Sequence, residues 1–285
     1  MKILVLGATG MLGSTMFKQL FADERYSVWG TMRSPTALGS FSEAERENLV
    51  SNIDVLDSDQ LISIFSKIKP DVVINCVGLI KQLSSAKDPL AVLPINSMLP
   101  HRLAKICELC NSRLIQISTD CVFSGSKGMY AEADISDAED IYGKSKFLGE
   151  VTDSNSVVTL RTSIIGHELN SSFSLVDWFL SQSGSVKGYA KAIFSGLPTV
   201  ELARVVRDFV IPNTELSGLY QVSASPIDKY SLLKLISNIY NKKIEIIKDE
   251  CLVIDRSLDS SKFQAATGYS APSWLDLIDY MYRTR

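Results

Sequence analysis

The chain has 285 residues, of which 46% are hydrophobic and 21% charged, and its formal net charge is −3. This composition predicts a packed core, and the length suits a nucleotide-binding domain with a smaller attached lobe. The sequence contains no basic stripe, which argues against a nucleic-acid partner. None of its apolar runs approaches the roughly 20 residues of a membrane helix, so we expect a cytoplasmic protein without membrane contacts.

In the first half of the chain, short apolar runs rich in β-branched residues alternate with segments of helical periodicity. The predicted strands are Ile3–Leu6, Ser27–Thr31, Val72–Asn75, Leu114–Ser118 and Val157–Leu160. The predicted helices are Met11–Phe21, Ser58–Lys67, Pro89–Cys110 and Tyr142–Val151. Continuous apolar strands indicate a sheet covered on both faces, and the alternation predicts an α/β fold of the Rossmann type, with a doubly wound parallel sheet.

The regular alternation ends near Gly166, where a Ser/Gly-rich stretch follows from Asn170 to Gly188. The later predicted elements are a helix from Thr199, a strand at Leu219–Val222, a helix over Ile227–Tyr240, a strand at Ile244–Ile247 and a helix over Trp274–Tyr282. We therefore predict a dinucleotide-binding domain over residues 1–165. Residues 166–285 are predicted to form a smaller substrate lobe that returns some elements to the sheet.

A GxxGxxG motif, Gly7 to Gly13, directly follows the first predicted strand and opens the first predicted helix. Gly7 permits the tight turn, Gly10 lets the backbone approach a pyrophosphate, and Gly13 lets helix and strand pack closely. The free N–H groups at the helix start then face the phosphates. The predicted cofactor contacts of this loop are Gly7, Thr9, Gly10, Met11 and Leu12.

The second predicted strand is followed by Arg33, near the point at which an NAD site normally places an acid for the ribose 2′-hydroxyl. A cation at this point suits a 2′-phosphate. The sequence therefore predicts NADP(H) as the cofactor, with a solvated surface arginine as the alternative interpretation.

A YxxxK motif places Tyr142 and Lys146 on one face of a predicted helix. A cation beside a phenol favours the phenolate, so we expect Lys146 to lower the pKa of Tyr142 and to prepare it as an acid for a carbonyl oxygen. Ser118 and Thr119 end a predicted strand, where ligands of open α/β sheets bind. The Thr119 hydroxyl there can hydrogen-bond a substrate oxygen beside the tyrosine.

The cysteine pattern predicts reduced thiols, because the five cysteines are odd in number and irregularly spaced. Cys107 and Cys110 form a CxxC within a predicted helix, with no second Cys/His pair nearby. Zinc sites need further ligands at defined spacings. We therefore expect both thiols to serve helix packing, and we predict no metal site.

The order of the motifs along the chain resembles that of the extended short-chain dehydrogenase/reductases. The motifs are GATGMLG at Gly7–Gly13, NCVG at Asn75–Gly78, STDCVFSG at Ser118–Gly125, YGKSK at Tyr142–Lys146 and RTS at Arg161–Ser163. STDCVFSG, together with Ser195–Thr199 and Arg256–Asp259, is most similar to the dTDP-4-dehydrorhamnose reductase branch. The similarity spans nearly the whole chain.

This resemblance implies an NADP(H)-dependent oxidoreductase that reduces the 4-keto group of a nucleotide-linked 6-deoxysugar, in the synthesis of deoxysugar or surface polysaccharide precursors. It implies Thr119, Tyr142 and Lys146 as the catalytic residues. It also implies cofactor contacts by Ser118, Tyr142 and Lys146, by Asp54 and Val55 at the adenine, and by Cys76, Val77 and Gly78 under the ribose.

The chain departs from the family pattern at two positions. Cys121 stands where members often carry tyrosine, and Thr15 stands where some carry an acid linked to a metal-assisted dimer. The resemblance is therefore not extended to a metal or to the rhamnose substrate. A homodimer is left open.

Two other functions also remain open. Cys121 and His167 lie near the positions at which GDP-fucose synthase places an acid/base pair, although His167 is one residue out of register. A bifunctional epimerase/reductase is thus the first alternative, against a buried thiol and a loop histidine as the plainer interpretation. A non-catalytic NADP-binding regulator is the second, and loss of Tyr142 or Lys146 would be its signature.

Four residues are candidate substrate contacts. The cations Lys81, Lys187 and Arg256 suit a sugar-nucleotide diphosphate, and Trp178 suits stacking on a base or sugar. Each has a plainer alternative, as a surface charge or as packing within the small lobe.

Overall fold

The computed structural model describes residues 1–81 and 87–285. Its strands are β1 (Lys2–Leu6), β2 (Ser27–Thr31), β3 (Leu49–Val50), β4 (Val72–Asn75), β5 (Arg113–Thr119), β6 (Val157–Thr162), β7 (Ile164–Ile165), β8 (Ser185–Tyr189), β9 (Ala192–Phe194), β10 (Leu197–Pro198), β11 (Gly218–Gln221), β12 (Ile227–Asp228), β13 (Glu245–Asp249) and β14 (Ile254–Asp255). Its helices are α1 (Met11–Phe21), α2 (Glu43–Glu47), α3 (Ser58–Ile68), α4 (Pro89–Val92), α5 (Leu99–Leu109), α6 (Ile141–Leu148), α7 (Leu175–Ser181), α8 (Thr199–Val205), α9 (Lys229–Ile239), α10 (Ser261–Thr267) and α11 (Trp274–Arg283). No helix in this part of the chain is long and apolar enough to cross a bilayer.

Seven parallel strands form the central sheet, in the order β11-β6-β5-β4-β1-β2-β3. The chain winds outward from β1 through β2 and β3, then returns to add β4 on the other side of β1. Open α/β sheets bind ligands at such a reversal, outside the carboxyl ends of the strands. The doubly wound parallel sheet predicted from the sequence is confirmed.

Helices cover both faces of the sheet, and the apolar residues of the central strand β1 show the effect. Along β1, Ile3 and Val5 point into a core beneath α1 and α8, while Leu4 and Leu6 point into a second core beneath α3 and α5. All four side chains are fully buried. Burial on both faces gives a central parallel strand its continuous hydrophobic run.

The five strands predicted in the first half are present, and their neighbouring helices differ mainly at the ends. The single helix predicted over Pro89–Cys110 is instead α4 and α5 joined by a π-helical segment, Leu93–Met98. Pro94 and Pro100 lack the N–H that a regular α-helical ladder would use here, which accounts for the irregular turn. The edge strand β3 was not predicted, because its two residues are too few to show a period.

The second half of the chain adds β11 to the central sheet and forms three small sheets, β10-β7, β12-β9-β14 and β13-β8. The helix predicted from Ile227 begins at Lys229, because Ile227 and Asp228 pair with β9 and the Asp228 side chain caps α9. The Ser/Gly-rich stretch contains α7 and the start of β8. The division of the chain at residue 165 stays a prediction.

Candidate active site

The glycine loop between β1 and α1 presents main-chain amides at the carboxyl edge of the sheet. Gly7 has φ +81°, a left-handed conformation that favours glycine. A Cβ on Gly13 would overlap the Gly7 carbonyl oxygen, whereas the nearest described atom to a Cβ on Gly10 would be that oxygen, at 3.6 Å. Gly10 therefore faces open space, and α1 begins without a side-chain cap. The uncapped amides form a site for an anion.

The other residues predicted to contact the cofactor border this loop and the ends of neighbouring strands. Val77 packs against the loop, since a Cβ on Gly7 would lie 3.0 Å from Val77 Cγ2. Leu12 is buried, so its main-chain N–H is the group that it offers. Arg33 is exposed beyond β2. The remaining predicted contacts are half-buried or exposed, namely Thr9, Met11, Asp54, Val55, Cys76 and Gly78.

Thr119, Tyr142 and Lys146 come together where β5 ends and α6 begins. Thr119 is the last residue of β5, and Lys146 follows Tyr142 by one turn of α6. The Thr119 hydroxyl lies near the Tyr142 phenol, and it donates to Asp120 Oδ1 at 3.1 Å. The Lys146 Nζ donates to the Ile117 carbonyl oxygen at 2.7 Å. Cys76, at the end of β4, is also close to Lys146 and connects this group to the glycine loop.

Three residues that sequence reasoning missed hold α6 in this place. Asp140 caps the helix, with its Oδ1 accepting a hydrogen bond from Gly143 N at 2.8 Å. A Cβ on Gly143 would overlap the Cys121 carbonyl oxygen, so glycine lets α6 approach the turn after β5. From the neighbouring π-helical segment, Asn96 Nδ2 donates to Ser145 Oγ at 3.2 Å. Of the three, only Asp140 could be found from the sequence, because an acid directly before a predicted helix start is a typical N-cap residue.

The charges around Tyr142 correct one expectation. Burial raises the pKa of Tyr142, and the neighbouring Cys121, Asp120 and Asp140 act in the same direction, while the hydrogen bond from Thr119 opposes them. The expected lowering of its pKa by Lys146 is wrong for this structure, because the Lys146 ammonium is bonded to a main-chain carbonyl instead. Tyr142 is thus held as a neutral phenol.

Lys146 is itself buried, which lowers its pKa to about 8, while the charge of Glu150 and, to a smaller extent, the Cys76 thiol oppose this fall. Desolvation disfavours the ammonium form of a buried lysine. At neutral pH the side chain therefore still carries its charge, although the pH is then close to its pKa.

The Ser118 hydroxyl has a different partner from the one expected. It donates to Glu150 Oε1 at 2.6 Å, and the side chain is buried beneath the sheet edge. The cofactor contact predicted for Ser118 stays a prediction.

Cys121 and His167 are held by different parts of the molecule. Arg256 Nη1 lies 3.9 Å from Cys121 Sγ, and burial raises the pKa of this thiol to about 12. His167 bonds through both ring nitrogens, Nδ1 to Asp177 Oδ1 at 2.6 Å and Nε2 to the Tyr240 hydroxyl at 2.8 Å. With its ring nitrogens engaged by Asp177 and Tyr240, His167 has no free position for a proton transfer with Cys121.

The four candidate substrate contacts fall into two groups. Lys81 Nζ pairs with Asp140 Oδ2 at 2.6 Å and Arg256 Nε donates to the Phe123 carbonyl oxygen at 2.8 Å, so both lie beside the catalytic group. Lys187 pairs with Asp249 at 2.8 Å on the β8-β13 ribbon. Trp178 is exposed on α7. These last two belong to elements of the predicted small lobe.

Within residues 1–81 and 87–285, no cluster of three or more Cys, His, Asp or Glu side chains could hold a metal.

The two cysteines of the CxxC motif differ in their surroundings. Cys107 packs in the core beneath α5, as expected, but Cys110 is exposed beyond the end of that helix. The Thr15 hydroxyl lies within hydrogen-bond distance of two oxygens, the Met11 carbonyl oxygen at 3.2 Å and Thr199 Oγ1 at 3.3 Å.

A doubly wound sheet with a glycine loop after β1 and a Thr-Tyr-Lys group beyond β5 defines the extended short-chain dehydrogenase/reductase class. Residues 1–246 match the family model described as the RmlD substrate binding domain. The chain belongs to this family.

Relatives of more than one kind match the chain. A dTDP-4-dehydrorhamnose reductase from Aggregatibacter actinomycetemcomitans is 26% identical over 297 residues, which cover 96% of this chain and 95% of the relative. The subunit beta of methionine adenosyltransferase 2 from Mus musculus is 29% identical over 149 residues, covering 52% of this chain and 41% of the relative.

Solved structures share the fold over the full length. The dTDP-4-dehydrorhamnose reductase of Bacillus anthracis, solved in complex with NADP, superimposes with a TM-score of 0.80 at 20% identity, covering 100% of this chain and 99% of that one. The corresponding protein of Clostridium acetobutylicum gives a TM-score of 0.80 at 21% identity, with the same coverage. At 20% and 21% identity, this structural similarity shows the fold alone.

Proposed function

We propose that this protein is an NADPH-dependent reductase of the 4-keto group of a nucleotide-linked 6-deoxysugar, acting in the synthesis of deoxysugar or surface polysaccharide precursors. The observation that carries the proposal is the juxtaposition of Thr119, Tyr142 and Lys146 beside the glycine loop, at the carboxyl edge of the sheet. Membership of the RmlD family and the full-length relative support the substrate class.

The residues of the glycine loop fit a dinucleotide. Gly10 leaves open space where a side chain would block a pyrophosphate, and the uncapped start of α1 offers amides to it. The exposed Arg33 provides a cation for a 2′-phosphate at the end of β2. Bound NADPH would supply the hydride that reduces the ketone.

The catalytic group supplies the proton that the C4 oxygen takes up. Tyr142 donates its phenolic proton to the C4 oxygen of the ketone as that carbon is reduced, and its raised pKa keeps the phenol protonated beforehand. The Thr119 hydroxyl holds the same oxygen in place. Once Tyr142 has lost its proton, the Lys146 cation one turn away would favour the phenolate if it turns from the Ile117 carbonyl to the phenolate oxygen, until a proton returns from solvent.

The cations nearest this group are suited to the nucleotide diphosphate of the substrate. Arg256 and Lys81 lie beside Cys121 and Asp140, respectively. Lys187 and Trp178 would then meet the nucleotide only if it extends over the small lobe. A homodimer stays a prediction.

Two observations favour this reductase over the alternatives. The retained Tyr142 and Lys146 argue against a non-catalytic regulator. Against the epimerase/reductase, His167 has both ring nitrogens bonded and Cys121 is a poor base at neutral pH. The direct test of the proposal is oxidation of NADPH by the protein in the presence of UDP-, GDP- and dTDP-linked 4-keto-6-deoxysugars, with oxidation by none of them as the contrary result.

Cofactor choice gives a prediction of its own. NADPH is expected to bind more tightly than NADH, and Arg33→Ala is expected to weaken NADPH binding selectively, because a charge-assisted hydrogen bond to phosphate contributes about 1.5–3 kcal/mol. Fluorescence titration of both cofactors measures this. Arg283→Ala, which changes an exposed arginine on α11, is the control and should leave both affinities unchanged. Equal affinities in the unmodified protein would contradict the role of Arg33.

Proton exchange separates reduction from epimerisation. Turnover of a 4-keto-6-deoxysugar with NADPH in D₂O is expected to leave no deuterium on C3 or C5 beyond the uncatalysed background, because simple reduction breaks no bond there. Cys121→Ala should retain most of the activity, as should the control Cys110→Ala at an exposed thiol. Enzyme-dependent deuterium at C3 or C5 that disappears in Cys121→Ala would establish the epimerase/reductase instead.

A further inference from the structure

A buried ion pair lies directly behind the catalytic group. Glu150, two residues past the end of α6, accepts hydrogen bonds from Arg161 through both carboxylate oxygens, from Nε at 2.8 Å and from Nη2 at 2.7 Å. The Ser118 hydroxyl donates to the same carboxylate at 2.6 Å. The side chains of Glu150 and Arg161 are only 3% and 2% exposed. The carboxylate is therefore fixed in position and shielded from water.

Stabilisation of the fold does not by itself account for this buried ion pair. Removing two charges from water costs several kcal/mol per ion, and well-packed apolar residues are often at least as stabilising as a buried ion pair. Arg161 keeps an unpartnered Nη1 within the described part of the chain, despite its contact with the Phe123 ring at 5.0 Å. A role for the carboxylate outside its own pair is thus to be expected.

Lys146 is the nearby group whose ammonium form a negative charge would stabilise. It is buried, and its one hydrogen bond in the described chain goes to the neutral Ile117 carbonyl. Ile117 is followed in β5 by Ser118, whose hydroxyl is bonded to Glu150, so the carboxylate lies beside the place where the ammonium is held. The titratable groups near Lys146 are Tyr142 from its own helix, Cys76 after the end of β4 and Glu150 from beyond α6. Tyr142 and Cys76 are both neutral at pH 7, the latter because burial raises the pKa of its thiol to about 12. Glu150 alone of these groups supplies a full negative charge.

We propose that Glu150 is a positioning residue that keeps the Lys146 ammonium protonated in its buried place, and that Arg161 and Ser118 hold the Glu150 carboxylate for this purpose. The charge of Glu150 offsets the burial that would otherwise release the proton. The effect on turnover rests on the function proposed above, whereas the charge state of Lys146 does not.

The test is a pH titration of Lys146 in the full-length protein labelled with ¹³C at the lysine ε-carbons, with the resonance assigned by its loss in Lys146→Arg. Glu150→Gln keeps the shape of the side chain and removes its charge. The titration midpoint of Lys146 is expected to fall by about one pH unit or more. The matched control is Glu201→Gln, because Glu201 is also a buried carboxylate, bonded by Arg204 through two nitrogens at 2.8 and 2.6 Å. It should leave the Lys146 midpoint unchanged.

Two further variants keep the test decisive if Glu150→Gln leaves Arg161 unpaired and fails to fold. Glu150→Gln/Arg161→Gln removes both charges and is expected to show a smaller fall, because the Arg161 cation, which opposes the ammonium, is lost as well. Ser118→Ala removes one hydrogen bond to the carboxylate and is expected to shift the midpoint less, in the same direction. An unchanged midpoint in the folded charge-removing variant, or an equal fall in Glu201→Gln, would overturn the proposal.

Turnover provides the second readout. In a Glu150 variant, kcat is expected to decline at a lower pH than in the unmodified enzyme, with little change in KM for the sugar. A lowered Lys146 midpoint in a protein without reductase activity would leave the positioning role intact and refute the proposed function. Normal reductase activity with an unchanged midpoint would do the reverse.

Discussion

A Tyr142→Phe enzyme is expected to bind NADPH nearly as tightly as the unmodified protein and to turn over about two to four decades more slowly, the usual effect of losing a positioned acid. The change removes one hydroxyl and keeps the aromatic ring on α6. Single-turnover and steady-state kinetics with a 4-keto-6-deoxysugar, together with a cofactor titration, measure both parts.

The matched control is Tyr220→Phe, which removes a hydroxyl from a half-buried tyrosine on β11. That variant should retain full turnover. If Tyr142→Phe also kept full activity, the phenol would not be the proton donor and the mechanism would fail.

Alanine substitutions at two glycines of the same loop are expected to have different effects, one on the stability of the fold and the other on cofactor binding. Gly13→Ala is expected to destabilise the fold by about 1–3 kcal/mol or more, because its Cβ would overlap the Gly7 carbonyl oxygen and α1 would have to move away from β1. Gly10→Ala is expected to leave the thermal unfolding of the free protein nearly unchanged, since its φ of −74° and ψ of 165° suit any residue. It should weaken NADPH binding about tenfold or more, by filling the space a pyrophosphate needs.

Thermal unfolding without cofactor and a NADPH titration separate the two effects. Each variant serves as the control of the other, because the change is the same single methyl group. A Gly10→Ala protein with normal NADPH affinity would show that the phosphates do not approach this loop.

The fold was predictable where the signal is local and strong. Central strands such as β1 and β4 are apolar because both of their faces are covered, and their alternation with helices leaves few other arrangements. The short pairings of the second half gave no such signal. β7 and β10 have two residues each, and their pairing depends on chain segments brought together only by the complete fold.

The catalytic group was predictable for a related reason. One helical turn connects Tyr142 and Lys146, and the rule for strand ends in open sheets places Thr119 near them. The charge states were not predictable, because they depend on burial and on partners distant in sequence. Lys146 turns to a carbonyl of β5, and Ser118 turns to Glu150, 32 residues away. No local pattern reveals either contact.

The central claim is that this protein passes a hydride to C4 of a nucleotide-linked 4-keto-6-deoxysugar. NADPH carrying deuterium at the transferable position of the nicotinamide C4 tests it directly, with the sugar product analysed by NMR and mass spectrometry. The account predicts one deuterium per product molecule, bound to sugar C4 in a single configuration, and none in the Tyr142→Phe protein beyond its residual turnover. A protein that binds NADPH yet leaves every UDP-, GDP- and dTDP-linked 4-keto-6-deoxysugar unreduced, or a product without deuterium at C4, would contradict it.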